Sequence, residues 1–199
     1  MKLILAFIAA YVLGSIPFGL IISKLWAKID IRHHGSGNIG MTNVMRTAGY
    51  IPGLLTLLFD SGKGAAAVLL AKQVTDDPFL WFACGVMAVA GHNWSIFLRF
   101  RGGRGVATTA GVLAATQPAI TVVLFIIWVL VVVFTKYVSL ASITVAVVFP
   151  ICQFLFKVPL PELLLGMVVA AFTVFRHRPN IQRLLAGTEY KFGEKSRPR

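Results

Sequence analysis

The sequence predicts an all-α integral membrane protein, a polytopic bundle of about seven transmembrane helices. Composition is the first reason. Of 199 residues, 57% are hydrophobic and only 13% are charged, whereas a soluble domain carries about a quarter charged residues. The mean hydropathy of +0.81 agrees. Spacing is the second reason: apolar runs close to the ~20 residues of a spanning helix recur along the whole chain, with most basic residues between them or in the tail.

The runs can be taken in order. The first is 3–23, read as a retained helix because its apolar stretch is long and no clear small-residue cleavage site follows. The second, 50–71, is interrupted by Asp60 and Lys63, and the third is 79–98. A small-residue run, 106–117, precedes 119–134; Pro118 disfavours helix at Gln117, which predicts a break there. Runs 138–156 and 160–175 follow, and the tail 176–199 is polar and basic, with a short helix expected over Asn180–Ala186. No linker or internal repeat divides the chain, which reads as a single domain, 1–199.

Charge sets the expected orientation. Nineteen Lys and Arg against seven Asp and Glu give +12. Such a balance suits nucleic acid, anionic lipid or an anionic substrate; with this much apolar sequence, lipid and substrate are the expected partners and nucleic acid is not. If the chain crosses at both 106–117 and 119–134, one side collects Lys24, Lys28, Arg32, Arg46, Arg99, Arg101, Arg104, Lys136 and the basic residues from Arg176 onward. The other side keeps Lys2, Lys72 and Lys157. Cytoplasmic loops carry the excess of Lys and Arg, so seven crossings are expected, with the N-terminus outside and the C-terminus in the cytoplasm. Cys84 and Cys152 lie in apolar runs without metal-ligand spacing and read as packing residues.

Three polar segments carry candidate chemistry. RHHGSGNIGMTNVMR, 32–46, offers Gly35, Gly37 and Gly40, whose backbone N–H groups can approach an anion closely. Ser36, Asn38, Thr42 and Asn43 add neutral donors, and Arg46 adds a phosphate-matching fork. GHNWSIFLRFRGGRGVATT, 91–109, sets Arg104 among Gly102, Gly103 and Gly105 ahead of a small-residue helix, a pattern suited to an anion. It is not a Walker A loop. The tail segment FRHRPNIQRLLAGTEYK clusters Arg176, His177, Arg178 and Arg183 with Asn180 and Glu189. Arg176 and Arg178 suit headgroup anchoring; His177 and Asn180 are less simply explained that way.

Asp60 and Lys63 sit three apart within an apolar run, where ionisable groups are costly and usually functional. His92 reads as a helix-end histidine. Ser139 and Ser142 open the sixth helix, where serines commonly bond back to the backbone. There is no His-x4-Asp dyad, no nucleophile elbow and no His/Cys cluster, so neither a metal nor a cofactor is expected.

In this order, GSGNIGMTNVMR, FDSGKG, GHNWSIFLRFRGGRGVAT, YVSLASIT and RHRPNIQRLLAGTE resemble the bacterial acyl-phosphate:glycerol-3-phosphate acyltransferase family. The resemblance runs from GSIPFG near the start to GTE in the tail. It implies a seven-helix inner-membrane enzyme that moves a fatty acyl group from acyl phosphate to the 1-hydroxyl of glycerol 3-phosphate. It also implies supply of acyl phosphate by a separate phosphate acyltransferase, with no direct use of acyl-CoA or acyl carrier protein. Ser36, Arg46, Ser142, His177 and Asn180 fall on positions that line the substrate site in similar proteins; Gly102, Gly103 and Gly105 match a phosphate loop, and Asp60 and Lys63 match Asp-x-x-Lys-Gly. Arg104 stands where the family usually has lysine, which keeps the charge but changes a point donor to a fork.

The expected catalytic set is therefore Ser36, Arg46, Arg104, His177 and Asn180, converging on two phosphates. Gly35, Gly37, Asn38, Thr42, Asn43, Asp60, Lys63, Gly102, Gly103, Gly105, Ser142, Arg183 and Glu189 are the expected substrate contacts. Two other readings compete. An organic-phosphate transporter fits the helix count but not the one-sided motifs or the missing repeats. A scaffold for anionic lipid explains the charge but not the Gly, Ser and Asn content.

Overall fold

The computed structural model describes residues 1–194; the tail cations Lys195, Arg197 and Arg199 lie outside the described residues. All regular structure among the described residues is helical. The backbone groups into two compact units, Met1–Thr116 and Gln117–Phe192.

The first unit opens with α1 (Lys2–Ser15) and α2 (Phe18–Ala27). The sequence suggested one unbroken helix to Ser23, but the chain turns extended at Ile16, whose ψ is 117°. Pro17 explains this: it bars helical geometry at the preceding residue and supplies no N–H to continue the ladder. A short 3₁₀ turn, Ile31–His33, leads through the glycine-rich loop to α3 (Met41–Ala48). α4 (Tyr50–Lys72) follows, then α5 (Pro78–Asn93), which Asp77 caps by accepting from Phe79 N–H at 2.9 Å. α6 (Val106–Thr116) closes the unit.

α5 is shorter than the run to Leu98 implied, and Ile96–Leu98 forms a separate 3₁₀ turn. The reason lies in the helix end. The carbonyls of His92 and Asn93 accept from Gly103 N–H (3.0 Å) and Gly102 N–H (3.1 Å), so the returning loop satisfies them in place of further helix.

This unit packs through small residues. Ala6, Ala10, Ala67, Ala71, Cys84 and Ala88 form a buried cluster. A methyl group at Gly14 would strike the Ala88 backbone, and one at Gly111 would strike Ser61. The large apolar side chains face outward instead: Ile4, Leu5, Ile8 and Leu58 are exposed. That inversion suits lipid, where burying leucine between helices brings little gain and close backbone approach brings more.

The second unit contains α7 (Pro118–Thr135), α8 (Val138–Leu155), α9 (Leu160–Arg176) and α10 (Arg178–Leu185). The expected break falls at Gln117, and α10 covers the expected tail helix to within two residues at its start. α7 packs on α8 and α8 on α9. A buried polar group lies inside: Gln117 Nε2 donates to Glu162 Oε2 (3.2 Å), and Gln153 Nε2 donates to Gln117 Oε1 (3.3 Å). Gly166 leaves room for the Gln153 amide, which a side chain would displace. The chain after α10 returns to the α7–α8 turn, where Phe192 N–H donates to Lys136 O at 2.7 Å.

Among the described residues, five stretches are long and apolar enough to cross a membrane: 2–27, 50–72, 78–98, 118–135 and 138–155. A sixth is counted if α9 and α10, bent by 54°, are taken as one. α6, with 11 residues, is a shorter apolar helix.

The close approach of α1 and α5 yields a contrast between two glycines. Gly14→Val is expected to cost about 2–3 kcal/mol through overpacking. Gly62→Ala, where no atom lies in the way, is expected to be neutral or to stabilise by about 0.5–1 kcal/mol. Thermal unfolding of both variants in detergent checks the pair; equal effects would remove the close-packing explanation.

Candidate active site

In the first unit, the loop before α3 is shaped around Asn43. Ser36 N–H donates to Asn43 Oδ1 (2.9 Å), and Asn43 Nδ2 donates to His34 O (3.0 Å) and Asn38 O (2.9 Å), with Ile31 O at 3.4 Å. Asn43 is buried, so the side chain predicted to touch substrate is spent on holding the loop. Gly35 (φ 55°) and Gly37 (φ 74°) make the left-handed turns that bring Ser36 back over Asn43, and a side chain at Gly35 would strike the Asn43 amide. Asn38, Thr42 and Arg46 are half-buried, and Arg46 sits one helical turn beyond Thr42 on α3. Upstream, Asp30 accepts from the Arg32 backbone N–H and pairs with its guanidinium at 2.6 Å. That hydrogen-bonded pairing with Arg32 holds the Asp30 carboxyl well below the usual carboxylate range.

The second group lies under the loop Gly102–Gly105. Lys63 Nζ reaches Asp60 Oδ1 (2.7 Å), His92 Nδ1 (2.9 Å) and Ile16 O (2.8 Å). All three side chains are buried. Gly102 and Gly103 donate their N–H groups to the end of α5, not outward as a phosphate cradle would require. Glycine is needed here for close approach: a methyl group would strike His92 O from Gly102 and the His92 ring from Gly103. Gly105 takes φ 79° before α6, and Arg104 is half-buried between them.

In the second unit, His177 forms the joint of α9 and α10 and is buried. Its Nδ1 lies 2.7 Å from Thr173 O. A carbonyl only accepts, so a proton belongs on Nδ1. Glu189 accepts from Asn180 Nδ2 (2.6 Å) and Arg183 Nε (2.6 Å), tying both to the chain after α10. Glu189 thus aligns two other residues. Among the described residues, Asn180 Oδ1 and Arg183 Nη2 are buried without a hydrogen-bond partner. Ser142 donates to Val138 O (2.8 Å), as expected of a serine in a membrane helix, and accepts from Trp128 Nε1 (3.4 Å). Among the described residues, no three His, Cys, Asp or Glu side chains assemble as a metal site.

Each unit therefore gathers its own share of the predicted residues. Two roles were missed from sequence. His92 bonds to the Asp60–Lys63 pair, for which the signal was its polar ring beside an apolar run. The Gln117–Gln153–Glu162 group had no such signal, because its members are far apart along the chain.

A family model described as glycerol-3-phosphate acyltransferase matches residues 4–187. The chain belongs to the glycerol-3-phosphate acyltransferase family. It is 51% identical to glycerol-3-phosphate acyltransferase 2 of Moorella thermoacetica, covering 97% of this chain and 99% of the relative. It is 44% identical to the glycerol-3-phosphate acyltransferase of Desulforamulus reducens, covering 96% of each. Among solved structures it resembles PlsY, an integral membrane glycerol 3-phosphate acyltransferase. For the glycerol 3-phosphate form the TM-score is 0.92 at 39% identity, covering 97% of this chain and 96% of that one. For the lysophosphatidic acid form it is 0.88 at 38% identity, with the same coverage.

Asn43 provides the test of the loop geometry. Asn43→Ala leaves several buried backbone groups without their partner, at about 1–3 kcal/mol for each left unsatisfied. The variant is expected to show a lower unfolding temperature and faster proteolysis near residues 34–40. Unchanged cleavage would mean that Asn43 does not hold the loop.

Proposed function

We propose that this protein transfers a fatty acyl group from acyl phosphate to the 1-hydroxyl of sn-glycerol 3-phosphate, giving lysophosphatidate and inorganic phosphate, the first step of phospholipid synthesis. The observation that carries this reading is the near full-length match to a structure solved in both a glycerol 3-phosphate and a lysophosphatidic acid form, an acceptor and a product of that one step. The donor is argued from chemistry. The sequence has no His-x4-Asp dyad and no nucleophile elbow, which suits a donor that is already a mixed anhydride with a good leaving group.

Both substrates are phosphate anions, and the cationic groups answer that. Arg46 and Arg104 are the forks of the first unit, with Ser36 and Asn38 of the loop before α3 and Thr42 of its first turn as neutral contacts. In the second unit, unpartnered Arg183 Nη2 suits a phosphate oxygen and unpartnered Asn180 Oδ1 suits a glycerol hydroxyl. Most of the rate comes from positioning and from charge stabilisation as the carbonyl becomes tetrahedral. The hydroxyl oxygen bonds to the acyl carbon, the bond from that carbon to the phosphate oxygen breaks, and the proton passes to a nonbridging oxygen of the departing phosphate. The His177 imidazole is the competing general base.

The same reading places the enzyme in the bacterial inner membrane, with seven crossings, its N-terminus outside and its active site facing the cytoplasm. The lysine and arginine distribution supports it. α6 then crosses as a short helix in a locally thinned bilayer. Acyl phosphate reaches it from a phosphate acyltransferase.

Purified protein in detergent, given acyl phosphate and labelled glycerol 3-phosphate, is expected to yield labelled lysophosphatidate and phosphate in equal amounts. A folded but silent sample would sink the enzyme reading, and labelled substrate entering proteoliposomes would favour transport. In the same assay run across pH, His177→Asn is expected to raise KM while keeping a near-normal saturated rate. A loss of about 10²-fold or more in kcat, with the wild-type pH limb gone, would make His177 the base.

A further inference from the structure

The Asp60–Lys63–His92 group takes no part in the steps above, yet its three side chains are buried and in contact with one another. A lysine ammonium has three N–H donors and no acceptor. Lys63 Nζ hydrogen-bonds to Ile16 O (2.8 Å) and His92 Nδ1 (2.9 Å) and forms an ion pair with Asp60 Oδ1 at 2.7 Å. Lys63 can only donate, so Nδ1 accepts and the ring proton of His92 belongs on Nε2. The Nε2 edge is the one packed against Gly103: a methyl group at Gly103 would collide first with that atom. The backbone carbonyl of the same histidine accepts from Gly103 N–H at 3.0 Å. Gly103 is thus gripped twice by one residue, and Arg104 is its immediate neighbour.

We propose that the Asp60–Lys63–His92 network is a positioning device for the Gly102–Gly105 loop: it touches no substrate, and it sets the imidazole on which Gly103 is seated. Lys63 fixes the rotation of the ring, and Asp60 fixes Lys63. The loop carries Arg104 at a defined height above the end of α5 only while the ring stays in place. A purely stabilising ion pair differs in a measurable way, because replacing both partners by apolar groups of similar size often leaves stability intact and would leave substrate affinity intact as well. The inference rests on the acyltransferase reading for its readout.

The test is a double-mutant cycle on the full-length protein in detergent, with His92→Ala, Gly103→Ala and the double variant. KM for each phosphate substrate, kcat and unfolding temperature are measured for all. Each single change is expected to raise KM for at least one substrate about tenfold, with a smaller effect on kcat. The double variant is expected to be no worse than the worse single, because the added methyl group enters the space the ring has left. Multiplying effects, or a fall in unfolding temperature with KM unchanged, would overturn the proposal. If His92→Ala does not accumulate as folded protein, His92→Gln carries the same cycle under the same criteria. An inactive wild type would overturn the acyltransferase reading itself; an active wild type with multiplying effects overturns only the positioning role.

Discussion

A charged group inside an apolar helix bundle must be compensated by the protein, and Lys63 is compensated by two hydrogen bonds and a buried ion pair. Its partners come from the kink at Ile16, from α4 and from α5, so one ammonium ties three segments of the first unit. The kink belongs to the solution. A straight helix through Pro17 would keep the Ile16 carbonyl within its own ladder. The centre of the Phe18 ring lies 5.6 Å from Lys63 Nζ, which adds a cation–π contact. Removing either charged partner would leave a buried ion uncompensated, which costs far more than removing both.

The same rule shapes the other polar groups. Asn43 answers four backbone groups of the loop before α3, and Glu189 answers Asn180 and Arg183 after α10. These residues serve as supports. They leave selected atoms, such as Asn180 Oδ1 and Arg183 Nη2, buried and unpartnered. In an apolar setting those atoms gain most from a ligand that supplies the missing partner.

Much of this was legible in the sequence. The apolar runs, the break at Gln117 and the short tail helix follow from residue type and local periodicity, which act over a few positions. The break before Pro17 was equally local, but the apolar run across it concealed the effect of the proline. The roles of the glycines were harder to read. Gly102 and Gly103 looked like an anion cradle, yet their N–H groups cap α5 and their missing side chains admit His92. Composition shows that glycine permits close approach and does not show what approaches. The Gln117–Gln153–Glu162 group was invisible for a related reason: its geometry depends on helix packing, to which linear spacing gives no access.

The central claim is that residues which touch no substrate hold those which do, and Glu189 offers the most direct test. Glu189→Gln keeps the size of the side chain but removes the charge that aligns Asn180 and Arg183. Glycerol 3-phosphate would be titrated calorimetrically into the folded wild type and variant. The account predicts at least about tenfold weaker binding by the variant, the cost of a charge-assisted hydrogen bond, with helical content unchanged by circular dichroism. Equal affinity in the two proteins would contradict it.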